Sequence, residues 1–571
     1  MQLLSDHLPH HAQRVRPPIP DPRLPIKPSM HQPLTSLTAS STEETFTNKP
    51  QAMKKKTKVL IEMRPAFEGY AGIPQETRLL FSTLSKLDGY DLEGLLQGGQ
   101  AHINLSRGTE KKSTSWFGRK QHPSRRYGTY SKVIISLKEK PYTSFSEKFL
   151  NFFRNRAEAI ALRGSILTNS KIKTTEFKTE SFEDFIWRTL FAKTLPSSEL
   201  ATIVKKNYQV LSISWHGMHK AGLSTLTWWF HTIYPKLNLG DVDIFIGQTP
   251  YPARVSKNTK VVIRYHDAIP IFLPHTINDV SEHQATHLYA LEGNAKSGAW
   301  FACVSETTRQ ELLKMHPEVV DRSVTIHNTI SPHYFKEETT FERVRGIIRS
   351  RIYGYDPEGK GLGVSPEFLN LREQEAFFKR NLFDKEFKYL LVVSTVEPRK
   401  NHSRAIAAWE ILKEEIDPSI KLVIVGTLGW GYKPLIKGLK TWIDRGELFM
   451  LNSVPSPDLR VLYRHASATI CPSVYEGFDF SGVEAMRSGG IAVASDIPVH
   501  REIYEDAAEY FDPNSTGSAV ECLKRVLYSP DAEAIRERLE KRGDEISRRY
   551  LPDKIQPQWE AFLEKVKNSK N

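Results

Sequence analysis

Four stretches of the chain carry residue types able to handle an anionic, hydroxyl-rich ligand. The first is Ser394-Thr-Val-Glu-Pro-Arg-Lys-Asn401, which follows the apolar run Tyr389–Val393 and precedes a segment with Ile406, Trp409, Leu412 and Ile416 on one helical face. Arg399 and Lys400 therefore fall at the carboxyl end of a strand, beside a helix N-terminus. Open α/β sheets bind ligands at that edge, and both the cations and the helix end favour an anion. The structural alternative is a surface turn with Asn401 as N-cap. The second stretch is Tyr475-Glu-Gly-Phe-Asp-Phe-Ser-Gly-Val-Glu484. Read functionally, Glu476 lies in a loop and Glu484 in a first helical turn. They flank backbone N–H groups that can take phosphate oxygens, while each carboxylate accepts from hydroxyls. Read structurally, Ser481-x-x-Glu484 is a capping box.

The third stretch is Val261-Val-Ile-Arg-Tyr-His-Asp267. His266 falls just past the end of a buried strand and should point into a cleft, although a lone histidine is more often structural. The fourth is Arg64–Arg78, a loop with Gly69 and Gly72 before Pro74, which suits the first turn of a helix. Glycine there lets backbone approach a ligand, but turns use glycine anyway.

Positioning these groups requires parallel sheets. Short apolar runs separated by helix-length connections predict strands at 58–63, 243–247, 260–265, 300–305 and 323–327. A second series is predicted at 389–395, 421–426, 448–451, 468–471 and 491–495. Strands apolar on both faces belong to parallel sheets covered by helices, so two series imply two doubly wound domains. Residues 1–52 hold nine prolines and no apolar periodicity, and read as a disordered extension; the expectation is that Met53 is the functional start and the preceding residues are dispensable. The expected domains are 53–335, with a basic insertion, and 389–548. Between them lies a charged interdomain insertion or linker, 336–388. A final amphipathic helix, 549–571, carries Trp559, Phe562 and Val566 on one face.

Composition sets outer limits. With 571 residues, 39% hydrophobic and 25% charged, the chain is neither wholly disordered nor an integral membrane bundle. Three scattered cysteines exclude a disulfide framework and a thiolate zinc site; the cytosol is the simplest compartment. The net charge of +13 favours anionic partners. Residues 101–140 carry ten Lys/Arg against Glu110 and Glu139, interleaved with aromatics. They read either as a solvated loop or as a peripheral contact with an anionic membrane at its inner face. A nucleic-acid-binding protein is the rival reading of the charge, and no RNP, KH, zinc-finger or basic-zipper pattern supports it. Asp241-Val-Asp243 precedes its strand and should face away from the ligand edge. No metal site is expected.

The Glu397–Asn401 and Pro472–Phe478 motifs, the Glu476/Glu484 pair and the run Ala494-Ser-Asp-Ile-Pro-Val-His-Arg-Glu502 resemble the family 4 glycosyltransferases. These are retaining nucleotide-sugar enzymes of the GT-B fold, two Rossmann-like domains facing a central cleft. The likeness is specific over 389–513 and looser over 53–335; it is most similar to bacterial mannosyltransferases of surface polysaccharide synthesis. It implies Lys400 at the donor diphosphate and Arg399 as the second positive charge, because Thr395 stands where the family carries an arginine. It further implies Glu476 at the sugar hydroxyls, Glu484 at the ribose, backbone N–H groups of Phe480, Ser481 and Gly482 at the diphosphate, Gly72 in the donor loop, and His266 bonding the sugar from the opposite domain. Asp479 and Ser481 depart from the family's usual glycine and proline. The implied donor is GDP-mannose, with a UDP-sugar or GDP-deoxyhexose as alternative. The implied acceptor is a glycan or lipid-linked saccharide, and no cofactor is implied.

Overall fold

A computed structural model describes residues 56–67, 69–70, 72–99, 131, 133–134, 137, 144–352, 364–384 and 387–569. The N-terminal extension 1–52 and nearly all of the basic stretch 101–140 lie outside the described residues. The first strand series comprises β1 (Thr57–Glu62), β2 (Tyr90–Gln97), β3 (Thr175–Phe177), β4 (Asn207–Leu211), β5 (Ile244–Gly247), β6 (Lys260–Tyr265), β7 (Trp300–Cys303) and β8 (Ser323–Thr325). They pair in the order β8-β7-β6-β5-β1-β2-β4-β3, all parallel except for β3 against β4. The order reverses between β1 and β5, so the loops after these strands meet at one edge.

The second series comprises β9 (Tyr389–Val393), β10 (Lys421–Val425), β11 (Leu448–Leu451), β12 (Ala468–Cys471), β13 (Ala492–Ser495) and β14 (Ala508–Phe511). Their order is β11-β10-β9-β12-β13-β14, wholly parallel, with the reversal between β9 and β12. Every residue of β11, β12 and β13 is buried, as strands covered on both faces must be. The doubly wound α/β organisation expected from the apolar runs is therefore what forms.

Four of these strands escape the apolar-run reading: β2, β3, β4 and β14. The reason is visible in β2, Tyr-Asp-Leu-Glu-Gly-Leu-Leu-Gln. Glu93 accepts a hydrogen bond from Gln209 of β4, and Gly94 leaves room for the Tyr208 ring, which a Cβ would approach to 2.6 Å. Cross-strand partners satisfy residues that look unlike strand in isolation.

The helix Ile73–Ser85 begins at Gly72, whose φ of +69° favours glycine. Inside it, the buried Arg78 donates to the carbonyls of Ala66, Gly69 and Leu190 and so pins the loop after β1. One residue pair fastens this helix to β6: Arg264 Nε lies 2.8 Å from Glu76 Oε1, with both side chains buried. Arg264 also donates to Ile326 O and Asn328 Oδ1, each at 2.7 Å.

Segment 336–388 contributes helices Phe341–Arg351 and Leu371–Phe378, whose Val344, Ile348, Phe377 and Phe378 share a buried cluster with Leu391, Val423 and Phe449 of the second sheet. The C-terminal helix Pro552–Asn568 crosses back to the first sheet. Trp559, Phe562, Leu563 and Val566 are buried there, Tyr90 Oη donates to Glu564, and Lys260 Nζ donates to Ser569 O. A single apolar cluster consequently runs from Val59 and Leu79 through Phe478, Phe480 and Val483 to Trp559. Trp559→Ala should cost about 3–5 kcal/mol of stability in urea denaturation, because it empties a large buried site that also carries the Arg264 guanidinium 5.3 Å from its ring. A loss under 1 kcal/mol would contradict this packing.

Candidate active site

Two loops leave the switch point of the second sheet, one after β9 and one after β12, and the backbone stitches them together. Val474 N donates to Arg399 O at 3.0 Å, and Asn401 Nδ2 donates to Pro472 O and Pro513 O, each at 3.0 Å. Asn401 does not cap the helix His402–Glu415 with its side chain; it sits in the left-handed region (φ +54°) and spends its amide on the neighbouring loop. The residue ends a single 3-10 turn, Pro398–Lys400, and this tight turn swings both cations toward β12.

The cations meet Glu476. Arg399 Nη1 lies 2.6 Å from Glu476 Oε2, and Lys400 Nζ lies 2.5 Å from Oε1. Arg399 also reaches Glu397 Oε1 at 2.7 Å and the Tyr475 carbonyl at 2.8 Å. Burial by itself would raise the Glu476 carboxyl, but Arg399 and Lys400 outweigh it and hold the group below the ordinary carboxylate range. Burial likewise opposes the Arg399 charge, and Glu476, Glu397 and Asp267 outweigh it and raise its pKa. The result is a desolvated cluster of two cations and two acids at the carboxyl edge of the sheet.

The opposite wall comes from β6. Gly477 packs so tightly on it that a Cβ would lie 1.8 Å from the His266 carbonyl oxygen. His266 itself is buried, and its Nε2 has no hydrogen-bond partner among the described residues. Burial, aided by Arg264, lowers its pKa to about 3, so the ring is neutral at physiological pH and can donate or accept one bond to a hydroxyl. Asp267, next along, is half-buried; its pKa is raised by burial despite Arg399. Two further contacts join the walls: Trp430 Nε1 donates to Thr276 O at 2.9 Å, and Gln75 Nε2 donates to Glu484 Oε1 at 2.7 Å.

Other expected site residues sit apart from this cluster. Glu484 is buried in the helix Phe480–Arg487, with Gln75 on one oxygen and Tyr463 Oη, at 3.2 Å, on the other. It does not fold back to close a capping box. The cap is Asp479, whose Oδ1 accepts from Ser481 N at 3.0 Å and from Ser481 Oγ at 2.7 Å. The Ser481 N–H is thus already committed and is not available to an anion in this arrangement, a correction to the reading that offered it to the diphosphate. Phe480 is buried against Phe478, with ring centroids 5.1 Å apart. Gly482 is required by close approach, since a Cβ would stand 2.3 Å from the Tyr504 ring. Gly72 is exposed, and a Cβ on it would meet no atom of the described residues within 4 Å. The Asp241/Asp243 pair lies at the other edge of the first sheet, both carboxylates bonded to Lys58.

Sequence reasoning missed the partners that explain Asp479. His500 Nε2, from the helix Pro498–Tyr504, lies 3.2 Å from Asp479 Oδ2. Burial would raise the Asp479 carboxyl, but His500, Lys400 and Ser481 pull it well below its usual value. Nothing in the run Val499-His500-Arg501 points to position 479.

Residues 373–545 match the family Glycosyl transferases group 1. The chain carries a group 1 glycosyltransferase domain. O-antigen chain mannosyltransferase RfbU of Salmonella typhimurium is 34% identical over 233 residues, which cover 38% of this chain and 64% of that protein. O-antigen chain mannosyltransferase B of Escherichia coli is 34% identical over 126 residues, covering 22% of this chain and 33% of that one. The chain therefore spans about a third of one relative's length and 64% of the other's. Sucrose-phosphate synthase from Thermosynechococcus elongatus superposes with a TM-score of 0.50 at 12% identity, over 90% of this chain and 99% of that one. The fold is GT-B, and the group 1 domain supplies every member of the Arg399, Lys400 and Glu476 cluster.

Burial raises the pKa of Glu484 from 4.5 to about 7. A raised acid stabilises the fold fully below its unfolded pKa and loses that contribution as pH rises through the folded one. Glu484→Gln should therefore flatten the stability difference between pH 5 and pH 8 by roughly 2–3 kcal/mol in urea titrations. An unchanged difference would contradict the enclosed geometry.

Proposed function

We propose that the protein transfers a hexose from a nucleotide sugar to a glycan or lipid-linked saccharide, and that the reaction is mannosyl transfer from GDP-mannose in bacterial surface polysaccharide synthesis. The carrying observation is the convergence of Arg399 and Lys400 on Glu476 at the switch point, with His266 Nε2, which has no hydrogen-bond partner among the described residues, on the facing wall. The names of the relatives, both O-antigen mannosyltransferases, support the sugar and the process.

The chemistry follows from the charges. When the bond between the anomeric carbon and the diphosphate oxygen breaks, its electron pair goes to the diphosphate, and negative charge grows where Arg399, Lys400 and the adjoining helix end can stabilise it. These groups are fixed in advance by Glu397, Tyr475 O and the stitched loops, so little reorganisation is needed. They also supply the positive charge that the step requires without a divalent metal. In the free protein Glu476 occupies both cations; an arriving diphosphate takes its place and releases the carboxylate to the sugar hydroxyls. The acceptor oxygen bonds to the anomeric carbon on the face the diphosphate leaves, and its proton passes to a leaving phosphate oxygen, which retains configuration. Neutral His266 accepts or donates a bond to a sugar hydroxyl and carries no proton of its own to the reaction. The contacts of Gly477 with His266 and of Gln75 with Glu484 describe a closed cleft, which keeps water from the activated sugar.

Lys400→Ala and Glu476→Ala should each abolish radiolabel transfer from GDP-mannose to lipid-linked saccharide extracts while the proteins remain folded by circular dichroism. Near-wild-type turnover in both would overturn the assignment. A UDP-sugar or GDP-deoxyhexose outperforming GDP-mannose in the same assay would reassign the donor and keep the mechanism.

A further inference from the structure

The run Gly426-Thr-Leu-Gly-Trp-Gly431 leaves the carboxyl end of β10 and carries no charge of its own. It nevertheless lies against the turn that bears Arg399 and Lys400. The β9–β10 ladder continues into it: Val396 N donates to Thr427 O at 2.9 Å, Gly429 N donates to Val396 O at 3.0 Å, and Val396 pairs with Leu428. Two glycines let the run lie flat. A Cβ at Gly429 would stand 2.9 Å from Thr395 Cγ2, and one at Gly431, where φ is +68°, would stand 3.1 Å from Pro398 Cγ. Trp430 sits between them, so its backbone is fixed to the residues that lead into Arg399.

Its indole reaches the other half of the chain, where Trp430 Nε1 donates to Thr276 O at 2.9 Å. Thr276 ends the 3-10 turn Pro274–Thr276, and this turn closes a stretch that begins at His266 and passes through the short helix Ile269–Phe272. From Ile271 to Val280, Thr276 is the one buried residue, and Phe272 and His275 are exposed. The stretch is therefore held from the second half at both ends: Gly477 packs on the His266 carbonyl, and Trp430 binds the Thr276 carbonyl. A tryptophan N–H can only donate. Here it meets backbone, so the bond fixes where the stretch lies, whatever side chains the stretch carries.

We propose that Trp430 is a positioning residue, whose N–H holds the His266–Thr276 stretch at a set distance from the turn bearing Arg399 and Lys400. On the hexosyl transfer proposed above, on which this reading rests, the tether keeps His266 over the donor sugar and keeps water from it while the diphosphate leaves. Trp430 acts through these residues. Nucleoside diphosphate binding by the two cations should survive its loss, and the partition of the sugar between acceptor and water should not.

The test compares wild type with two variants of the full chain. Trp430→Phe keeps an aromatic ring and deletes the N–H. Trp442→Phe deletes an N–H elsewhere, the one donated to Glu410 from the helix Lys433–Arg445. In hydrogen–deuterium exchange, the amides of Leu273, Thr276 and Ile277 should exchange about tenfold faster in Trp430→Phe and at the wild-type rate in Trp442→Phe. Calorimetry should find GDP bound by both variants within about twofold of wild type, because the cations are untouched. With GDP-mannose and lipid-linked saccharide, the ratio of sugar released to water over sugar transferred should rise about fivefold in Trp430→Phe alone. Unchanged exchange at 273–277, the same change in both variants, loss of GDP binding in Trp430→Phe, or an unaltered ratio in an active enzyme would overturn the proposal. Exchange needs no turnover, so a wild type that transfers no sugar fails the proposed reaction while the tether is still judged.

Discussion

A buried carboxylate clamped between two cations is the constraint on which the rest of this structure depends. Glu476, Arg399 and Lys400 are all largely out of water, and charges in that setting persist only when they are paired and hydrogen-bonded. The pairing requires that the loops after β9 and β12 lie side by side, which only neighbouring parallel strands at a reversal of sheet order provide. It also requires a tight turn at Pro398–Lys400, a left-handed Asn401 and the bond from Val474 N to Arg399 O. Each local irregularity in this region serves the same three side chains.

The two halves then divide the work. The second half concentrates formal charge, whereas the first contributes buried or half-buried groups: His266 with its lowered pKa, Asp267 with its raised one, and Gln75 at the far end of the interface. The buried Arg264–Glu76 pair couples them, because it locks the helix after the Gly72 loop to the strand that ends in His266. The shared apolar cluster and the returning C-terminal helix hold the halves in register, so the charged cluster faces a wall of fixed composition. Glu476 pairs with both Arg399 and Lys400 and so holds the two cations side by side at the carboxyl edge of the second sheet.

Much of this was legible in the residues themselves. Apolar runs such as Ala468–Cys471 and Leu448–Leu451 coincide with the strands, because a strand buried on both faces has no reason to carry polar residues. The motif around Arg399 and Lys400 predicted two cations at the carboxyl end of a buried strand beside a helix start, and the structure places both there, paired with Glu476. What could not be read were contacts between residues far apart in sequence. Gln75 and Glu484 are 409 positions apart, and nothing in either stretch names the other. The capping-box pattern at Ser481–Glu484 misled for a related reason: Asp479 accepts from Ser481 N, while Glu484 turns to Gln75 and Tyr463. Strand β2 was hidden by polar residues such as Glu93, whose partner Gln209 lies on β4.

The central claim is that Arg399 and Lys400 form a diphosphate site that Glu476 occupies until the ligand arrives. Calorimetric titration of GDP and of guanosine into wild type and Lys400→Ala tests it most directly. The account predicts that the substitution weakens GDP at least tenfold and leaves guanosine unchanged, since only the diphosphate meets the cation. Equal GDP affinity in the two proteins would contradict it.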